Sequence, residues 1–309
     1  MQRSRPDSLD APSNQAPHDD RRPGASPFDK AGGEWKERLK DIVRRNHRLP
    51  IFALLARASK TYLRAYYNEN HYRFPHNGER FVIETFRRIK GGTGIVAFDV
   101  GAHTGSWTGE LLQRLPAAQV HCFEVAPETF KVLQATVGDR ANVHVNRMGL
   151  SDEEGELELS YVPGATTIST LHRATLASTW GLDHETVKVP VTTGARYMAD
   201  RNVDRIDFLK VDTEGHDLSV LRGFSESLAR RPIPLIQFEH GFVHIPARSL
   251  LCEFYELLTP LGYSIGRLHP RCVQFKDYDL FEDEQFRMGN YIAVHGSERE
   301  LASALRGGD

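Results

Sequence analysis

Apolar residues recur along this chain with two different periods, and the switches between them lay out its elements. Trp35, Leu39, Ile42 and Val43 fall at helical spacing, and Ile51, Phe52, Leu54 and Leu55 form a second helical set with Pro50 in its first turn. Phe81 to Ile89 reads as a third helix, stopped by Gly91-Gly92-Thr93-Gly94. The period then changes. Short apolar runs at Ile95–Val100, Gln119–Glu124, Val143–Asn146, Ile206–Val211 and Pro234–His240 have the length and content of buried strands. Between them lie helical sets: Trp107, Leu111, Leu112 and Leu115 ending before Pro116; Phe130, Val132 and Leu133 after Pro127; and Leu218, Val220 and Leu221 closed by Arg222-Gly223. Leu157–Tyr161 alternates as an antiparallel strand, Val187–Val191 is extended, and a short helix begins at Tyr197. Phe254–Leu261 reads as helix, and Tyr263–Leu268 and Tyr291–Val294 as late strands.

Strands alternating with helices predict an α/β fold: a Rossmann-like, seven-stranded, mostly parallel sheet with helices on both faces, preceded by an N-terminal helical extension. The expected organisation is a disordered, Pro-, Ser- and Gly-rich tail over 1–33, the helical extension over 34–90, the α/β domain over 91–297 and a tail over 298–309 that is a short polar helix or frays. Residues 163–186 carry many Thr, Ser and His and no periodicity, as expected of a lid or mobile loop.

Composition changes this picture little. A net charge of −2 over 309 residues gives no reason to expect a nucleic-acid partner. Cys122, Cys252 and Cys272 are far apart and show no metal-finger spacing. No apolar run reaches the ~18–20 residues of a membrane span, and no signal-peptide core is present, so a cytoplasmic location is expected. One segment stands out: from Glu34 to Arg64 nine Lys and Arg face three Asp and Glu. Either this helical pair packs on the domain with its charges solvated, or it makes weak contact with an anionic membrane surface. Tyr62, Tyr66, Tyr67, Tyr72 and Phe74 then either line a substrate entrance or fill a junction.

The candidate chemistry gathers at strand ends. Val96–Val100 runs into Gly101-Ala102-His103-Thr104-Gly105, a strand-turn-helix unit of the nucleotide-binding type. Glu124, at the end of the next strand, lies 19 residues after Gly105, close to the ~20-residue gap at which an acid accepts from ribose hydroxyls. His103 and Ser106 stand where a dinucleotide cradle requires glycine, which disfavours an NAD-type oxidoreductase with a degenerate loop. In open α/β sheets ligands sit at the carboxyl ends of strands, which brings Asp99, Glu124, Asp212 and Glu239-His240 to one crevice.

The form D-x-G-x-x-x-G followed by a strand-end acid resembles the S-adenosylmethionine site of class I methyltransferases. Phe98–Gly105, Cys122–Pro127 and Phe208–Gly215 together resemble the FkbM family, with the similarity covering roughly residues 95 to 268. The resemblance implies S-adenosylmethionine as cofactor and O-methylation of a hydroxyl on a sugar, glycan or natural-product acceptor. It implies that Gly101 and Gly105 bring backbone against the methionine part of the cofactor with His103 beside it as a cofactor contact, that Asp99 orders the turn or holds the cofactor through water, and that Glu124 holds the ribose. Ser151 or Asp152 either contacts adenine or forms a plain turn. Asp212 and Glu214 are expected near the transferred methyl, with His216 and His240 as base candidates or as cleft-wall residues. Two departures from the family pattern are His103, where Asn is common, and Gly215-His216-Asp217, where Gly-Ala-Glu is common. Asp212 with Glu239 and His240 also resembles the strand-end ion site of catechol-type enzymes. Two carboxylates are few for a hard ion, and no metal is expected. A non-catalytic binding module on this fold is a further alternative.

Overall fold

In a computed structural model of the chain, residues 27–69, 73–162, 165–170 and 185–307 are described. Twelve strands appear among them: β1 (Val96–Val100), β2 (Gln119–Phe123), β3 (Val143–Asn146), β4 (Gly149–Ser151), β5 (Gly155–Val162), β6 (Ala165–Thr170), β7 (Glu185–Thr193), β8 (Phe208–Val211), β9 (Leu235–His240), β10 (Tyr263–His269), β11 (Cys272–Phe275) and β12 (Gly289–His295). The helices are α1 (Pro27–Asn46), α2 (Pro50–Tyr66), α3 (Glu79–Lys90), α4 (Ser106–Arg114), α5 (Pro127–Val137), α6 (Gly194–Asp200), α7 (Asp217–Arg222), α8 (Ser225–Arg230), α9 (His244–Ala247), α10 (Leu251–Leu258), α11 (Leu280–Asp283) and α12 (Arg299–Leu305). The chain divides into two compact units, Met1–Thr61 and Tyr62–Asp309.

The main sheet has the order β11-β10-β12-β9-β8-β1-β2-β3. Strands β9, β8, β1, β2 and β3 run parallel, and β12 joins antiparallel to β9 and β10. The winding direction reverses at β1 and β8, which opens a crevice at their carboxyl ends. The sheet has eight strands, one more than the sequence pattern suggests: β11 pairs on the outer edge of β10. A second sheet, β4-β7-β5-β6, is built from the segment after β3. Of the expected 163–186 loop, residues 165–170 and 185–186 are strand; 163–164 and 171–184 lie outside the described residues, as does Tyr72. The expected 1–33 tail also lies outside them except for its last residues, where α1 already begins at Pro27.

Strand alternation sorts side chains onto two faces. On one face Ala97, Val120 and Phe208 meet Val82, Ile83 and Phe86 of α3, Leu111 and Leu112 of α4, Leu133 of α5, and Leu301 and Leu305 of α12. On the other, Phe98, Val100, Leu209, Val211 and Phe238 meet Tyr197, Leu218, Leu221, Leu228 and Phe254 from α6, α7, α8 and α10. Phe238 is fully buried and stacks on Phe254 at 4.6 Å; burial of one such ring is worth ~1.5–3 kcal/mol. Two expected boundaries change accordingly. Helix α3 belongs to the core rather than to an extension reaching residue 90, and α12 buries Leu301 and Leu305 rather than forming a polar tail. Cys122 is a buried core residue, its thiol pushed up to about 12 by burial first and by Asp99 next.

Candidate active site

The face of the sheet toward α3 carries a polar row that leads to the crevice. Asp99, Lys210 and Gln237 lie abreast on β1, β8 and β9, paired in register across three neighbouring strands. The Lys210 ammonium bridges Asp99 at 3.3 Å and Asp212 at 3.2 Å, and the Thr108 hydroxyl of α4 donates to the other Asp99 oxygen at 2.7 Å. Gln237 donates to Glu79 at 2.7 Å, and Asn77 donates to the second Glu79 oxygen at 2.6 Å. Burial pulls the Lys210 pKa down, but Asp212, Asp99 and Glu79 together outweigh it and raise it overall, so the ammonium stays charged. Burial has the stronger hand on Glu79 and raises it despite Lys210.

Above the row, the turn after β1 is shaped by Gly101, whose φ is +80°. A Cβ there would stand 1.9 Å from the Asp212 carbonyl oxygen, so the end of β8 approaches closely enough to exclude any side chain. The Gly101 and Ala102 amides donate to the Phe123 carbonyl. His103 also takes a left-handed φ, +51°, a conformation in which Asn and His are enriched among non-glycine residues. This accounts physically for either residue at that position. Gly105 (φ +83°) precedes α4, and a Cβ on it would meet Leu133 and Val137 of α5 at 3.0 and 3.4 Å, so its lack of a side chain serves helix packing.

Glu124 sits beyond β2 and is nearly buried. One carboxylate oxygen accepts from the His103 amide at 3.0 Å and the other from the Ala126 amide at 2.8 Å. Burial raises its pKa against these bonds. The Val125 amide adds a third backbone bond to the carboxylate. The expected acid thus joins the two turns that flank the crevice.

At the end of β8, Asp212, Glu214 and Glu239 converge, with one oxygen from each within 4.8 Å of the others; all three are half-buried. Glu214 holds a left-handed φ of +53°, a local strain of the kind that collects at functional sites. Burial, then Asp212 and Asp217, pushes Glu214 up to about 8. Burial and the neighbouring Asp212, Glu214 and Asp217 raise Glu239 well above the usual carboxylate range. Carboxylates this close cannot all ionise unaided; the cluster must hold protons or a cation. The sequence offered two carboxylates here, and the fold supplies a third through Glu214. His240 is not part of the group. It is 1% exposed, lies against His244 at 4.6 Å with Phe254 and Phe286 around it, and is lowered to about 3 by burial and by His244.

His216 lies on the turn after β8. It is buried, and its Nε2 lies 2.9 Å from Ser151 Oγ, which donates in turn to Asp152 at 2.9 Å. Ser151, Asp152 and His216 therefore form one chain linking β4 to the turn after β8. Asp217, fully buried, accepts from Thr213 Oγ1 at 3.0 Å and lies 3.5 Å from His244. Burial acts to raise its pKa, but His244 and Thr213 hold it below the usual range. Lys210, Glu79 and Asp217 carry no assigned catalytic or binding role in the sequence, and Glu239 is weighed there only as an ion ligand beside Asp212 and His240. The readable signal for Glu239 was strand parity: in β9 it shares a face with Gln237, whereas His240 shares one with Phe238.

Relatives are consistent with this arrangement. The chain is 30% identical to 31-O-demethyl-FK506 methyltransferase FkbM of Streptomyces tacrolimicus, over 43% of this chain and 61% of that protein. It is 28% identical to hexuronic acid methyltransferase AglP of Haloferax volcanii, over 51% of this chain and 62% of that protein. The chain thus spans about three fifths of the length of these relatives. Among solved structures, the plantazolicin methyltransferase BpumL in complex with SAH aligns with a TM-score of 0.40 and 10% identity, covering 84% of this chain and 98% of that one. The strand order, not that superposition, carries the fold assignment. Residues 99–278 run from the first acid of the polar row past the carboxylate cluster, and they match the family model of the methyltransferase FkbM domain, to which family this chain belongs.

Proposed function

We propose that the protein is an S-adenosylmethionine-dependent methyltransferase that methylates a hydroxyl of a sugar, glycan or other small-molecule acceptor. The observation that carries this reading is the cluster of Asp212, Glu214 and Glu239 at the crevice, two of whose members have raised proton affinity. An alcohol must lose its proton as its oxygen takes up a methyl group, and a carboxylate of raised pKa at that point is a suitable acceptor. The FkbM domain and the names of two relatives, one an O-demethyl-FK506 and the other a hexuronic acid methyltransferase, support the same class.

The residues present fit the cofactor. The floor at Gly101 has no room for a side chain, Glu124 stands at the strand end where an acid accepts from a ribose, and the carboxylates suit a cationic sulfonium. When bound, S-adenosylmethionine supplies a methyl group on a sulfonium sulfur, which leaves with the electron pair of the broken carbon–sulfur bond. Gly101, His103 and Gly105 shape the turn under the methionine part, Asp99 fixes that turn from below, and Glu124 orients the ribose. The chain from Asp152 through Ser151 to His216 walls the adenine side. Asp212 and Glu214 align the acceptor, and Glu239 takes its proton; alignment itself supplies much of the rate.

Calorimetric titration of S-adenosylmethionine into the full chain, followed by a labelled-methyl assay on hydroxylated acceptors, tests the reading. Binding that is lost in Glu124→Ala is expected. A folded protein that gives no heat would overturn the cofactor assignment, and label found on nitrogen or carbon would overturn the acceptor class.

A further inference from the structure

None of the crevice residues described above comes from the two N-terminal helices. Helix α2 is 17 residues long, contains no acidic residue and has none of its side chains buried. At 100° per residue, Ile51, Leu54, Leu55, Ala58, Tyr62, Leu63 and Tyr66 occupy roughly half of its circumference. Arg57, Lys60 and Arg64 fall within a sector of roughly 60° opposite them. Leu54 is 61% exposed, Tyr62 66% and Tyr66 57%, and the two tyrosine rings stack at 6.0 Å along the apolar face. Helix α1 repeats the pattern. Trp35, Leu39, Ile42 and Val43 are all exposed within a sector of roughly 100°, and its basic residues lie elsewhere around the helix. Two of its four acids are taken up internally, Glu37 by Lys40 at 2.6 Å and Asp41 by Arg44 at 3.0 Å.

A continuous apolar face, interfacial aromatic rings and a cationic stripe opposed by no acid of α2 itself, Arg64 alone pairing with Glu69 at 3.5 Å just past the helix, form the pattern of a helix that lies in the plane of a lipid surface. Among the described residues no helix is long and apolar enough to cross a membrane, so the pattern is one of lying on a bilayer rather than spanning it. We infer that α1 and α2 dock the protein on an anionic membrane surface. The apolar faces enter the headgroup boundary, and Arg57, Lys60 and Arg64 stay on the polar side, within reach of the negative surface potential of the anionic lipids. Charge complementarity selects lipid over a second copy of this chain: a second α2 would cover the apolar face but brings no acid to meet the cationic stripe, whereas an anionic bilayer meets both.

Flotation of the full chain on vesicles tests this. Strong flotation is expected on mixed phosphatidylglycerol and phosphatidylcholine vesicles at low salt, with weak flotation on phosphatidylcholine alone and a fall at high salt. The triple variant Arg57→Gln, Lys60→Gln, Arg64→Gln should partition on the order of a hundredfold less. Leu54→Glu with Leu55→Glu should abolish flotation. Both variants should keep the wild-type unfolding temperature, since no α2 side chain is buried. Absence of wild-type flotation on anionic vesicles overturns the inference, as does equal flotation on neutral ones or by the triple variant. A dimer in sedimentation that is lost in Leu54→Glu, Leu55→Glu without any vesicle binding would show that a second copy covers this face instead.

Discussion

Lys210→Met probes the polar row beneath the crevice most directly. The substitution keeps the length of the stem and removes an ammonium that lies 3.3 Å from Asp99 and 3.2 Å from Asp212. Asp212 is one-third exposed and can be rehydrated, whereas Asp99 has no exposed surface and would retain only the Thr108 hydroxyl. Breaking a buried pair from one side costs about 3–5 kcal/mol, because the remaining charge is left without compensation. In a domain of this size each kcal/mol lowers the unfolding temperature by roughly 2–4 °C, so a fall on the order of 10 °C is expected. Removing the second charge as well should recover most of the loss, so Lys210→Met with Asp99→Asn should be more stable than Lys210→Met alone. Urea unfolding of the four proteins in this cycle measures the coupling. A single variant that loses less than ~1 kcal/mol, or a double variant whose loss is the sum of the singles, would refute the assignment of Lys210 as the counter-ion of Asp99.

Three further outcomes follow from the same geometry. Gly101→Ala should damage both stability and methyl transfer more than Gly105→Ala. Both carry the cost of about 1–2 kcal/mol for a left-handed residue, but only the first drives a Cβ to 1.9 Å from a backbone oxygen; equal unfolding temperatures would contradict this. Glu239→Gln should lower kcat by on the order of a hundredfold while leaving the calorimetric affinity for S-adenosylmethionine unchanged, and an unaltered kcat would remove Glu239 as the proton acceptor. His121 is lowered to about 4, chiefly by burial and then by His144. The unfolded chain therefore binds a proton that the native state refuses between about pH 6.5 and 4, and stability is lost as pH falls through that window. The raised carboxylates slope the other way, so the test is a difference: His121→Phe should lack about one proton's worth of this slope relative to wild type, and parallel pH profiles would exclude the effect.

The sequence made the fold readable where periodicity was long and clean. The parallel strands and the helices between them follow directly from apolar runs and their punctuation. Strand β11 escaped because four residues give too short an alternation to register, and the burial of α12 because its core face rests on Leu301 and Leu305. In the site, Gly101 and Glu124 were readable because turn geometry and strand-end chemistry leave a fixed spacing. His240 illustrates the opposite case: adjacent residues at a strand end face opposite sides, and sequence proximity to Glu239 suggested a shared site that the pleat forbids. Glu79 was invisible for another reason. Its partners Gln237 and Lys210 lie 158 and 131 positions away, and only the closing of α3 onto the sheet brings them within reach.

The hydrogen bond between Ser151 and His216 has a mechanical side. Ser151 belongs to the four-stranded sheet and His216 to the turn leaving the eight-stranded one, so this contact pins two layers that are otherwise separate ladders. Glu214 lies two residues before the pin, on the same turn. Sliding of the smaller sheet against the larger must therefore either break the pin or drag the turn that carries a carboxylate. The smaller sheet is thereby tied, through that one turn, to the carboxylate cluster.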